Sequence, residues 1–132
     1  CVMLEVFNLE IISPEKTLMK SEVSMVSLPG FEGEMTILKD HISLVTFLRP
    51  GIIEVEGNQI KEKFFAESGT VEFNNNNLLI LSSLVLNLKD VKQEYAQKML
   101  EQAKKDLFKN NISDKKKYLL SYKIDTLEKL RI

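Results

Sequence analysis

His41 is the one histidine among 132 residues. Serine-based nucleophilic catalysis would have to use it as the base. The nearest acid in sequence, Asp40, falls on the opposite side of an extended segment. A lone histidine builds no zinc site, and a catalytic role needs a positioned constellation around it. Cys1 is the only cysteine, so the chain predicts no internal disulfide. Gly30-x-x-Gly33 lacks the Lys-Ser/Thr pair of a phosphate-cradling loop, and no G-x-G-x-x-G occurs. The carboxylates are scattered along the chain, not paired for glycosidic acid–base work. These residues predict no catalytic set, no metal site and no cofactor.

His41 sits inside a distinctive stretch, Leu28 to Gly51, which reads LPGFEGEMTILKDHISLVTFLRPG. Pro29-Gly30 and Pro50-Gly51 punctuate its ends, and Gly33 lies within. A segment so punctuated and so poor in reactive groups reads as a loop held against a partner.

The elements around it change character once. Residues up to about 85 read as short strands with turn signals every 8–12 residues, which suits a sandwich or barrel. Val2 to Asn8 and Glu22 to Leu28 are expected strands. Ile52 to Glu56 and Gln59 to Glu67 form an expected hairpin about Gly57-Asn58. Thr70 to Phe73 and Leu78 to Leu81 form a second about Asn74 to Asn77, since asparagine tolerates left-handed backbone. Phe64, Phe65 and Phe73 read as core. From Asp90 onward no Gly or Pro occurs, and the pattern becomes helical. Asp90 and Gln93 resemble a capping box. Val91, Tyr95, Met99, Ala103 and Leu107 then recur every four residues as one apolar stripe. After Asn110-Asn111, Ser113 is the expected cap of a second helix with Leu120, Ile124, Leu127 and Leu130 or Ile132 inward. The expected organisation is a β domain over 1–87 and an antiparallel two-helix hairpin over 88–132, docked permanently or able to leave.

Net charge is -1, but it is divided unevenly. Residues 1–89 carry 7 basic and 12 acidic side chains, and residues 90–132 carry 11 and 7. Such segregation points to two segments facing different partners, or to lysines solvating a helix surface. No basic region precedes an apolar core near Cys1, which predicts no signal peptide. Leu78 to Leu88 is too short to span a bilayer, which takes about 20 apolar residues. A small β domain with a basic tail also fits a single-strand nucleic-acid binder. Such binders need a basic groove and exposed aromatic platforms, whereas this β half is acidic.

The spacing Leu28-Pro29-Gly30, Gly33, Ile37-Leu38, His41, Leu44, Thr46, Leu48, Pro50-Gly51 resembles a pattern of the epsilon subunit of bacterial F-type ATP synthases, the equivalent of the mitochondrial delta subunit. Ser68-Gly69-Thr70-Val71-Glu72-Phe73 is similar to a second stretch of that family. The order of β domain and hairpin agrees, so the likeness covers nearly the whole chain. The resemblance implies a ten-stranded β-sandwich followed by the hairpin. It implies a non-catalytic rotor subunit, joining the gamma shaft to the ring of membrane c subunits without entering the membrane itself. Peripheral attachment on the cytoplasmic side of the bacterial inner membrane follows.

Carried over by position, Glu34 and His41 fall where the family places c-ring contacts. The family's hairpin either folds on the sandwich or extends along gamma toward the catalytic alpha and beta subunits, restraining ATP hydrolysis. Lys115, Lys116, Lys117, Lys123 and Arg131 are candidate contacts for that head, chosen by charge. Thr36, Lys39, Ser43 and Thr70 stand where the family has glycine or proline, so the backbone at Thr36 and Thr70 is expected to need no positive φ. Some members bind ATP through I/L-D-x-x-R-A. Here the stretch is Val91-Lys92-Gln93-Glu94-Tyr95-Ala96, which lacks both the aspartate and the arginine, so ATP binding is not expected.

Overall fold

The computed structural model describes residues 5–109 and 111–130. Ten strands come first: β1 (Phe7–Ile12), β2 (Thr17–Val23), β3 (Met25–Gly30), β4 (Gly33–Leu38), β5 (Leu44–Leu48), β6 (Gly51–Gly57), β7 (Ile60–Ala66), β8 (Gly69–Asn74), β9 (Asn77–Ser82) and β10 (Val85–Asn87). A 3-10 turn over Leu88–Asp90 leads to α1 (Gln93–Leu107) and α2 (Asp114–Lys129). The hydrogen-bonded order is β10-β7-β6-β3-β5-β8-β9-β1-β2, with β4 on β3. All neighbours are antiparallel except β1 and β9. β3 meets β5 through the single pair Gly30–Leu48, so the path folds there into two layers.

Period-two alternation fills the space between the layers. Phe7, Leu9 and Ile11 of β1, Ile53 and Val55 of β6, Val71 and Phe73 of β8 and Ile80 of β9 join one buried cluster. Phe7 meets Phe73 edge-on at 5.7 Å. The β8–β9 connection is the two residues Asn75-Asn76, both at positive φ (51° and 58°), which matches the right-handed twist of the hairpin. The β6–β7 turn is Asn58-Gln59, one residue later than the sequence suggests, with Gln59 at φ 60°. Thr36 and Thr70 lie in strands outside the positive-φ set, whereas Gly69 cannot carry a Cβ. One placed there would stand 1.9 Å from the Leu81 carbonyl oxygen.

Several expectations need correction. β1 begins at Phe7 and extends past Asn8; Val2 to Leu4 lie outside the described residues. Glu22 to Leu28 is two strands broken at Ser24, whose hydroxyl donates to the Glu56 carbonyl. Most of Leu28 to Gly51 is not loop but strand, namely the end of β3 and all of β4 and β5. Its glycines and prolines bound strands that must turn sharply at both ends of the sandwich.

In the hairpin, Ser113 caps α2 as expected, its hydroxyl accepting from Lys116 N–H at 3.1 Å. Asp90 does not cap α1. It ends the 3-10 turn, and Lys92 occupies the cap position with no side-chain bond. The buried face of α1 is Ala96, Leu100 and Ala103, while Tyr95 is about half exposed. The expected stripe holds at Val91, Met99 and Ala103 but fails at Tyr95, where Ala96 and Leu100 turn inward instead, for a reason that lies in the sandwich. On β7, Phe64 points into the inter-layer core, so Phe65 must point out. Phe65 gathers Ile52, Leu86 and Leu88 into a second apolar cluster, and Leu100 of α1 and Leu127 of α2 close over it. Both helices therefore lie against the outer face of β6, β7 and β10.

Candidate functional site

Three constructions on this scaffold present side chains to a partner or hold the hairpin in place. The first is the β4–β5 connection. Asp40 takes a positive φ of 65°, and an asparagine clasp holds it there. Its backbone N–H donates to Asn76 Oδ1 at 2.7 Å, and Asn76 Nδ2 donates to Asp40 Oδ1 at 3.0 Å. Ser43 Oγ donates to Asn74 Oδ1 at 3.1 Å. The asparagine turn thus braces the loop that carries His41. The His41 ring meets Phe73 edge-on at 5.9 Å, and its Nδ1 donates to the Ile42 carbonyl at 2.8 Å. Around it Leu38, Ile42 and Val45 are exposed, Ile42 and Val45 each at 78%. The loop is thus braced and carries exposed aliphatic side chains.

Glu34 lies elsewhere. It stands exposed near the start of β4, opposite Pro29. Leu38 ends the same strand about 13 Å further on, at 3.3 Å per residue, and His41 is beyond it. The two expected contacts are not neighbours. Glu34 instead shares a groove with Arg49, Tyr122, Asp125 and Lys129, where the sandwich meets α2.

The second construction is the seam along α2. Phe31, in the β3–β4 turn, meets Phe47 edge-on at 6.2 Å and packs at a tilt on Tyr118 at 5.2 Å. Tyr118 meets Tyr122 at 4.9 Å, and the Arg49 guanidinium lies 4.1 Å from the Tyr122 ring centroid. Tyr118 Oη also donates to the Phe31 carbonyl at 3.1 Å. Lys123 Nζ stands 2.5 Å from Glu67, with both side chains largely covered. Sequence reasoning singled out Lys123 by charge and overlooked Phe31, Tyr118, Tyr122 and Arg49. The pairs they form span up to 87 residues of sequence, and no local signal marks them. Lys115, Lys116 and Lys117 are exposed on the first turn of α2. Arg131 lies outside the described residues.

The third is the junction between strand and helix. Glu62 accepts from Lys89 Nζ at 2.9 Å and from Asn87 Nδ2 at 3.1 Å. These bonds to Lys89 and Asn87, with some added attraction from the Lys89 charge, hold the Glu62 carboxyl below its ordinary range. Asn87 Oδ1 in turn accepts from Lys89 N–H, capping the 3-10 turn. Asp90, Lys92 and Tyr95 line a neighbouring hollow at the start of α1.

Among the described residues no three His, Cys, Asp or Glu side chains gather as a metal set. No described helix is long and apolar enough to cross a membrane. Phe7, Phe64, Phe65 and Phe73 are buried, and only Phe47 of the strand aromatics is exposed, so no run of stacking platforms faces solvent.

Residues 6–87 match the family described as ATP synthase, Delta/Epsilon chain, beta-sandwich domain. The ATP synthase epsilon chain of Pelagibacter ubique is 45% identical over 97% of this chain and 99% of its own length. That of Parvibaculum lavamentivorans is 34% identical over 98% of each chain. Among solved structures, a chain of the Euglena gracilis mitochondrial ATP synthase superposes with a TM-score of 0.72 at 21% identity. That match covers 97% of this chain and 81% of the other. A chain of the Tetrahymena thermophila mitochondrial ATP synthase, from its central stalk and c-ring, superposes at 0.62 and 12% identity over 97% and 98%. The family model covers the sandwich, two relatives above 30% identity align over nearly the whole chain, hairpin included, and the chain is therefore a non-catalytic member of the ATP synthase delta/epsilon chain family.

Proposed function

We propose that the chain is the rotor stalk subunit of a proton-translocating F-type ATP synthase, joining gamma to the c-ring during rotational ATP synthesis. The observation that carries this reading is the full-length likeness to a protein named ATP synthase epsilon chain, hairpin included. The work of such a subunit is mechanical, so it needs stiff contacts and no reactive group. Stiffness of that kind is present in the braced β4–β5 loop. Glu34 and His41 are the c-ring contacts, with Ile42 exposed beside His41. An acidic sandwich suits basic loops on the ring.

The docked hairpin is the permissive form. Extended along gamma, it restrains ATP hydrolysis by bringing Lys115, Lys116, Lys117 and Arg131 toward the catalytic alpha and beta subunits. Lys123 joins them only after leaving Glu67. Each exposed ion pair contributes about 0–1 kcal/mol, so the lysines act as a group. The hairpin binds no ATP, because Lys92 and Tyr95 stand where the nucleotide-binding motif has aspartate and arginine. The subunit sits peripherally on the cytoplasmic face of the bacterial inner membrane.

Deletion of residues after Lys89 in the assembled complex tests the restraint. ATP hydrolysis rises if the hairpin inhibits; an unchanged rate removes the restraint and leaves the coupling role standing. A pull-down from solubilised membranes tests the coupling role. Recovery of gamma and c supports it, and salt-sensitive oligonucleotide binding without a membrane partner overturns it.

A further inference from the structure

The β3–β4 turn packs directly against α2. Its two loop residues, Phe31 and Glu32, lie between Gly30 and Gly33, which pair across the turn. Gly33 holds a φ of 136°, and a Cβ there would meet nothing within 4 Å. Glycine at position 33 is what lets the backbone take that φ. The Gly30–Gly33 pair closes it, and two backbone bonds tie it to the end of β5, Phe31 N–H donating to the Phe47 carbonyl and Arg49 N–H donating to the Pro29 carbonyl. The remaining restraint comes from α2. Tyr118 stacks on the Phe31 ring and donates to the Phe31 carbonyl, and Tyr122 sits under Arg49. Glu34 follows this turn by one residue and lines the same groove as Tyr122 and Lys129.

We infer that Tyr118 and Tyr122 are positioning residues for Glu34, so that docking of α2 sets the geometry of the ring contact. This rests on the reading of Glu34 as a c-ring contact, and it adds a linkage to that reading. Hairpin position and ring attachment then share one free energy, and linkage makes the effect reciprocal. A docked hairpin tightens the grip on the ring, and ring engagement at Glu34 holds the hairpin down. Release of α2 removes Tyr118 from Phe31 and the Tyr122 wall from the groove. The Glu34 side chain then loses its fixed direction although its backbone stays paired with Pro29, while the distant His41 loop keeps its asparagine brace.

The test uses the full-length chain. Amide exchange is followed at Phe31 to Glu34, and affinity is measured for purified c-ring carrying gamma. Tyr118→Ala removes one aromatic contact and one hydrogen bond, and should speed exchange at the turn and weaken ring binding by about tenfold each. Exchange at Asn74 to Asn77 should stay unchanged. Tyr118→Phe keeps the stacked ring and should recover a large part of both effects. Arg49→Lys removes the flat cation from Tyr122 without altering α2, and should move both readouts the same way by a smaller factor. The inference is overturned if Tyr118→Ala frees the α2 amides but leaves turn exchange and ring affinity at the parent values. Glu34→Gln separates the two claims. If it weakens ring binding while Tyr118→Ala does not, the contact stands and the positioning role falls. If it has no effect, the contact reading falls and takes this inference with it.

Discussion

Phe64 and Phe65 are adjacent, chemically identical and almost completely buried, at 2% and 1% exposure. They serve different cores, and substituting each in turn separates sandwich stability from hairpin docking. Phe64 belongs to the cluster between the layers, and Phe65 lies under Leu100 and Leu127. Truncating a buried phenylalanine to alanine costs about 3–5 kcal/mol when its site cannot collapse. For Phe65→Ala that cost falls on the docked state, because the undocked sandwich already exposes the residue. At about 1.4 kcal/mol per factor of ten, the docked-to-undocked ratio should fall by about 100-fold to several thousandfold. Helices of this length are marginal when unsupported in water, so undocking is readable as lost protection of the α1 and α2 amides. Amide exchange on the full-length protein should show Phe65→Ala raising hairpin exchange by that factor, with the strand amides of β1, β8 and β9 little changed. Phe64→Ala should instead lower protection in the strands. If Phe65→Ala weakens strands and helices by the same amount, hairpin and sandwich unfold as one unit. The two-core account would then be wrong.

Three further outcomes follow from the geometry. Gly69→Ala drives a methyl group into the Leu81 carbonyl and should cost about 1–3 kcal/mol or more, read as a lower denaturation midpoint of the sandwich. Lys123→Ala breaks the pair with Glu67 across the α2 seam. It should weaken docking by roughly 1 kcal/mol, the upper end for an incompletely buried pair, and Glu67→Gln should be close to equivalent in a double-mutant cycle. Glu62 has a lowered folded-state pKa, so its bonds to Lys89 and Asn87 stabilise fully above the unfolded-state value of about 4.3. That contribution is lost as pH falls through the lower folded-state value. Glu62→Gln should flatten this part of an acid titration of stability, and an unchanged acid limb would refute the clamp.

The order of β domain then helices, the Ser113 cap and the asparagine turn were all legible in the residues. They are local properties: backbone tolerance and capping depend on neighbours in sequence. The spacing of Pro, Gly, His and Thr from Leu28 to Gly51 carried the family, but its reading as loop missed β4 and β5. Short strands flanked by glycine give too few periods to register.

Which face of each element is buried was settled elsewhere. Two apolar columns run into and along α1, Val91-Tyr95-Met99, beginning just before the helix, and Ala96-Leu100-Ala103, about one residue's rotation apart. Periodicity selects a face only when one face alone is apolar. Phe65, pointing outward because Phe64 points inward, offers the apolar ground on which Leu100 and Leu127 settle. The same fold brings Tyr118 to Phe31 and Lys123 to Glu67. The sequence by itself determined a non-catalytic sandwich with a hairpin; the tertiary structure decided how the hairpin is held. Burial and pairing are relations between surfaces, and those surfaces exist only once distant strands have come together.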